Sequence, residues 1–238
     1  MSFLEWAIVL GIVFVGACAQ GSFGFGLGVT AAPVLALVNP DFIPASLLMV
    51  ALVLTVLVVL RQRAPFEWSS LSWALLGRLP GSLLGTWAVV VLPQRELIVL
   101  FSILVLVGIG LSFAGWRISP TKPTLVVAGA ASGFMGSITS IGGPPMALIY
   151  QHETGPKIRA SLSNFFLFGA ALSVGLLAAA GEIHGDDVRR SLQILPAMML
   201  GFAASRYAAK WLDGNNIRRW LLLFSGSTSL LVLITAFV

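Results

Sequence analysis

The chain reads as an all-α integral membrane protein made of two inverted repeats, each a broken re-entrant helical hairpin followed by three transmembrane helices. Three observations carry that expectation. Of 238 residues, 58% are hydrophobic and only 10% are charged, against about 25% charged in a soluble domain. The apolar residues gather into eight runs, most of them near the roughly 20 residues that a spanning helix needs. Two of the runs are interrupted by glycine and proline at corresponding places in the two halves.

The runs cover 3–38, 42–60, 69–91, 97–115, 124–150, 160–181, 191–210 and 217–237, joined by short polar connections. Trp6, Trp68, Trp116, Trp211 and Trp220 fall near run ends, where indoles sit among lipid headgroups. The first run is too long for one span and is broken by Gln20-Gly-Ser-Phe-Gly-Phe-Gly-Leu-Gly28. The fifth is broken by Gly133-Phe-Met-Gly-Ser-Ile-Thr-Ser-Ile-Gly-Gly-Pro-Pro145. Glycine and proline weaken a helix interior by about 1 and 3 kcal/mol relative to alanine. A break in hydrocarbon also frees backbone groups, so it survives only inside protein or beside a cavity. The arms of the fifth run, 125–135 and 143–150, give roughly 12–17 Å of helix, about half of a ~30 Å hydrocarbon core. A hairpin that enters and leaves on one side follows.

The charges agree with that topology. If both broken runs return to their own side, Arg61, Arg63, Arg117, Lys122, Lys157, Arg159, Arg206, Lys210, Arg218 and Arg219 share one face. Arg95, Arg189 and Arg190 take the other. Eight simple crossings would divide them almost evenly, against the positive-inside rule. The basic face is then cytoplasmic, both termini lie outside, and the expected location is the cell inner membrane. The N-terminus, with no basic residue in 1–4 and Glu5 next, reads as the start of the first span and not as a cleavable leader.

An internal repeat supports the division into 1–118 and 119–238. Ile43-Pro-Ala-Ser-Leu47 recurs as Ile158-Arg-Ala-Ser-Leu162, and Leu79-Pro-Gly-Ser-Leu-Leu-Gly85 as Leu195-Pro-Ala-Met-Met-Leu-Gly201. Both pairs are offset by about half the chain. Three crossings per repeat, an odd number, invert one repeat relative to the other. Inverted repeats with broken segments at matching positions are the architecture of secondary transporters.

Composition excludes other classes. The net charge is +5, but the basic residues stand singly or in pairs between apolar runs, as loop charges that set topology and not as a nucleic-acid surface. Cys18 is the one cysteine, so neither an internal disulfide nor a cysteine metal site can form. His152, His184 and all nine acidic residues fall in connections or at run ends. No cofactor or metal is expected, and no nucleophile–base pair in the spans, which argues against an enzyme. No carboxylate remains in the core as a proton or sodium relay. Efflux of an anion needs none, since it already runs down the membrane potential, about 2.3 kcal/mol per charge per 100 mV.

The candidate site is a small-anion site where the two breaks meet near the midplane. Thr30 before Pro33, and Ser140 before Pro144-Pro145, suit an N-cap with a first-turn proline. Two helix N-termini facing one cavity offer N–H groups and partial positive charge to an anion. Gly24, Gly26, Gly28, Gly142 and Gly143 allow close backbone approach, and Ser22, Ser137, Thr139 and Ser140 add hydroxyls. The alternative is that these glycines only pack helices together. Arg78, near the middle of the third run, is either an anion contact, a positive wall against cations, or an arginine bound to backbone carbonyls. Asn164, with Ser161 and Ser46, either lines the path or joins helices by hydrogen bonds.

The two motifs, Gly24-Phe-Gly-Leu-Gly-Val-Thr-Ala-Ala-Pro33 and Gly133–Pro145, together with the duplication, make the chain resemble the sulfite exporter TauE/SafE family over essentially its full length. In the first motif the glycines alternate with Phe23 and Phe25, where the family has them paired. The resemblance implies a multi-pass inner-membrane transporter that exports sulfite or an organosulfonate; Phe23, where the chain departs from the family's pattern, is a further candidate at the site and bears on pocket size. The residues themselves support a small anion, moved by alternating access or through a passive channel. The partners expected are that anion and the lipid bilayer; a homodimer is one admissible assembly.

Overall fold

The computed structural model describes residues 1–62, 68–113, 118–150, 156–212 and 215–236, apart from the side chains of Phe23, 156–159 and 208–220. The connections around Arg63, Arg117 and His152 lie outside the described residues.

Among the described residues there are ten α-helices and no strand. They are α1 (Phe3–Phe23), α2 (Leu27–Val38), α3 (Ala45–Arg61), α4 (Trp68–Val91), α5 (Gln94–Phe113), α6 (Lys122–Thr139), α7 (Gly143–Tyr150), α8 (Pro156–Ala179), α9 (Gly185–Leu212) and α10 (Asn215–Thr235). A 3-10 turn, Pro40–Phe42, joins α2 to α3. Among the described residues four stretches are long and apolar enough to cross a membrane: Phe3–Ser22, Trp68–Val91, Gln94–Phe113 and Ala160–Ala179. The chain is a multi-pass membrane protein.

Both broken runs fold back. Along the first, Leu27 donates its N–H to Gln20 Oε1 at 3.1 Å, and a β-carbon at Gly16 would overlap the Thr30 hydroxyl. Trp6, at the start of α1, meets Phe42 edge-to-face just after α2, ring centroids 6.2 Å apart. The chain thus returns to the level at which it entered. In the second, Ser132 donates to the Gly142 carbonyl at 2.5 Å, and Leu125 of α6 shares a buried cluster with Ile149 and Tyr150 of α7.

The arms are unequal, which corrects the expected half-depth hairpin. α6 was expected to stop at Met135. It runs 18 residues to Thr139, about 27 Å at 1.5 Å per residue, and α7 has only 8 residues. Gly133 and Gly136 do not break α6, because their bare backbone is used for packing. A β-carbon at Gly133 would press on the Arg78 carbonyl and on Ser82. The turns fall later, at Gly24 (φ 85°) and Ser140 (φ 59°), both left-handed.

The caps are also reassigned. α2 starts at Leu27 with Gly26 before it, so Thr30 is not its N-cap. Thr30 lies in the first turn and donates back to the Gly26 carbonyl at 2.9 Å. Pro33 then lies inside α2, where a proline leaves the carbonyl four residues earlier without its donor. That carbonyl, Val29, accepts from Ser225 of α10 at 2.5 Å. Ser140 closes α6 and does not open α7. Pro144 and Pro145 do occupy the first turn of α7.

Lipid gives helices little hydrophobic reason to associate, so close backbone packing carries the interfaces. On α4, Gly77, Gly81 and Gly85 form a stripe against α6. β-Carbons there would strike the carbonyl oxygens of Val126, Ala130 and Phe134 in turn. α9 packs on α1 in the same manner through Gly201 against the Phe14 carbonyl. Gly81→Ala is expected to destabilise the fold by about 1–3 kcal/mol through overpacking, read as a lower melting temperature in detergent. Gly175→Ala in α8, with open space around it, should leave stability unchanged or raise it by up to about 1 kcal/mol.

Candidate functional site

A cavity of about 60 Å³ lies where the two breaks approach each other. Gly28 faces the Ser140 carbonyl so closely that a β-carbon would overlap it, and Phe25 packs on Gly143. Around this contact the cavity is lined by Gly26, Gly28 and Val29 at the start of α2, by Ser140, Ile141 and Gly142 in the turn between α6 and α7, and by Gly143, the first residue of α7. Leu48, Ala51 and Thr55 of α3 form one wall, with Gln20, Phe25, Arg78, Gly136, Phe166 and Ala170 completing it.

The first N–H groups of a helix have no acceptor within it. For α2, Leu27 N–H is taken by Gln20, while those of Gly28 and Val29 begin the helix at the cavity. For α7, Gly142 and Gly143 stand at the cavity, and the two prolines that follow have no N–H to offer. Each helix also directs the positive end of its dipole there. Ser140 holds its left-handed backbone at a cost of about 1–3 kcal/mol. Its hydroxyl donates to the Pro44 carbonyl at 3.2 Å, and Thr139 Oγ1 accepts the Ile141 N–H at 3.0 Å.

Arg78 is the charge of the site. It is 3% exposed and lies midway along α4, where a cation in a membrane is costly and faces a partner or a cavity. Nη1 donates to Ser132 Oγ at 3.0 Å, and the guanidinium lies 4.7 Å from the centroid of Phe165, a cation–π contact. Among the described residues Nε has no hydrogen-bond partner. None of the described residues lining the cavity is acidic. Room for the guanidinium comes from Gly136, Gly142 and above all Gly169, where a β-carbon would overlap it.

Of the residues expected at the site, Gly26, Gly28, Arg78, Ser140, Gly142 and Gly143 come together around the cavity. The others lie elsewhere. Gly24 forms the turn that ends α1. Ser22 donates to the Cys18 carbonyl at 2.9 Å and to the Ser205 carbonyl at 3.3 Å. Thr30 bonds its own helix. Ser137 pairs with Ser173 of α8 at 2.9 Å. Thr139 donates to the Met135 carbonyl at 2.8 Å, and Asn164 to the Ala160 carbonyl at 2.9 Å. A hydroxyl or amide on a helix finds the carbonyl one turn back before it finds a cavity. The side chain of Phe23 lies outside the described residues. Ser46 joins helices, its hydroxyl donating to Asp187 Oδ1 at 3.3 Å. Sequence reasoning missed Gln20, Thr55 and Phe166 as lining residues. Gln20 was visible as a lone amide at the edge of a glycine-rich break, whereas nothing in the local sequence marks Thr55 or Phe166.

A second hollow, about 350 Å³, lies beyond Pro44 and is lined by Asp41, Glu182, His184, Asp186, Asp187 and Arg190. Arg190 bridges Asp41 at 2.8 Å and Asp187 at 3.5 Å. Pro44 borders this vestibule while Ser140 borders the central cavity, so the Ser140–Pro44 hydrogen bond stands between the two spaces.

Because few groups compensate its charge, Arg78→Met is expected to melt at or above the wild-type temperature, as when buried charges give way to apolar packing. A large fall in melting temperature would mark Arg78 as a structural residue.

The sulfite exporter TauE/SafE family matches residues 8–232. No curated protein and no solved structure matches the chain.

Proposed function

The chain belongs to the sulfite exporter TauE/SafE family, and we propose that it exports a small sulfur-containing anion, sulfite or an organosulfonate, across the inner membrane by alternating access. The observation that carries this reading is Arg78, a buried guanidinium whose Nε has no hydrogen-bond partner among the described residues, at a cavity whose described lining holds no acidic side chain. The two helix N-termini at the same cavity add to its attraction for an anion. A ligand with negatively charged oxygens would satisfy all three sources of positive potential at once.

The route is built from inverted repeats. In support, exchanging the halves of the chain turns each main packing into another: α4 on α6 into α9 on α1, and α10 on α2 into α5 on α7. The α3–α8 and α5–α10 contacts map onto themselves, as expected beside a two-fold axis. The acidic vestibule is the extracytoplasmic mouth, sealed from the cavity by the tip of α6 at Ser140. Its carboxylates disfavour rebinding of a released anion, and Arg190 keeps that repulsion partial. Transport proceeds without a carboxylate relay in the core.

In proteoliposomes the protein should move sulfite, and Arg78→Ala should lower the flux about 10- to 100-fold, the equivalent of about 1.5–3 kcal/mol for a hydrogen bond to a charged group. Sulfite loaded on the far side should accelerate uptake. Absence of that acceleration would make the path a channel, and faster movement of sulfate or chloride than of sulfite or sulfoacetate would remove the assignment. A cysteine at Pro156 should react with an impermeant thiol reagent from the cytoplasmic side only; reaction from outside would refute the inverted topology.

A further inference from the structure

The two breaks share a backbone plan but are filled differently. α1 ends at Gly24, whose N–H donates to the Gln20 carbonyl at 2.8 Å. α6 ends at Ser140, whose N–H donates to the Gly136 carbonyl at 3.0 Å. Gln20 and Gly136 therefore occupy equivalent places, four residues before the turn. Gly136 has no side chain, and a β-carbon there would lie 3.2 Å from Arg78 Nη2. The guanidinium thus takes the space that a side chain of α6 would fill. On the first hairpin that space belongs to Gln20 itself, 6% exposed and lining the same cavity as Arg78.

Gln20 also has a local task. Its Oε1 accepts the Leu27 N–H at 3.1 Å, the bond that a capping side chain would make and that Gly26 cannot. With the oxygen engaged as an acceptor, the side-chain NH₂ is the donor that remains.

We propose that Gln20 is a direct neutral donor to the transported anion, so that one amide and one guanidinium grip it from equivalent points of the two hairpins. This rests on reading the cavity as an anion site. Two donors in this relation need a guest with acceptor atoms on more than one side. The site therefore takes an oxyanion in preference to a monatomic halide, and Gln20 sets that preference.

Two substitutions separate the donor from the cap. Gln20→Glu keeps an oxygen for Leu27 N–H, removes the NH₂ and turns a negative charge toward the anion. Gln20→Met fills the space with neither group. Each is measured in proteoliposomes beside wild type and Arg78→Ala, for sulfite and for chloride, with the melting temperature of each protein. The expected result is a sulfite KM raised at least tenfold in Gln20→Glu at near wild-type melting temperature, and a sulfite-over-chloride preference reduced at least tenfold in Gln20→Met. A Gln20→Met protein with wild-type KM and preference overturns the proposal, whatever Gln20→Glu does. If wild type moves sulfite and Arg78→Ala does not, that failure touches Gln20 alone. If wild type moves no sulfite, the transport reading fails and this inference falls with it.

Discussion

A chain that stops being helical inside hydrocarbon must find partners for every amide and carbonyl it releases, and the rest of this molecule is arranged around two such places. At the first, Gln20 and Ser225 each supply a hydrogen bond that the broken helix lacks. Arg61 adds another, its guanidinium bonding the Gly21 carbonyl and Ser205 near the C-terminal end of α1, where the helix dipole favours a cation. At the second, Thr139 and Ser132 do the same. What remains after these bonds are made is a small set of donors and one guanidinium directed at a shared hollow.

Much of this was legible in the sequence, because lipid imposes few and severe rules. Run length gave the all-helical, multi-pass character, and the Gly–Pro clusters marked the two places where the chain turns back. A lone arginine within an apolar run marked the one charged side chain among the described residues that line the cavity. What was not legible was register. Glycine serves two purposes that sequence does not separate, to turn the backbone or to let another helix approach. Gly24 and Gly26 do the first, while Gly133 and Gly28 do the second. The left-handed turn of the second hairpin falls on Ser140, a residue with no intrinsic preference for it, and is held by contacts from the other half of the chain.

Three polar candidates lie away from the cavity lining for a related reason. Thr30, Thr139 and Asn164 were singled out as polar groups in apolar surroundings, yet each donates to a carbonyl of its own helix. Such bonds relieve burial without any ligand. Arg78 differs because its five donors exceed the acceptors within reach, and Gln20 because its acceptor is spent on a neighbouring helix. The surplus of donors over acceptors, more than polarity itself, distinguishes the residues at the cavity.

The glycine stripe of α4 has a bearing on motion. It binds α4 to α6, a helix of the other half, as Gly201 binds α9 to α1. Backbones in such contact slide or separate only at the loss of their whole interface, so each pair behaves as one stiff rod bundle. The halves of the gene product are thereby interlaced, like the fingers of clasped hands, and neither can tilt as a block. A rearrangement inside this chain therefore has to carry α4 together with α6 and α1 together with α9, so that each moving piece joins elements from both halves.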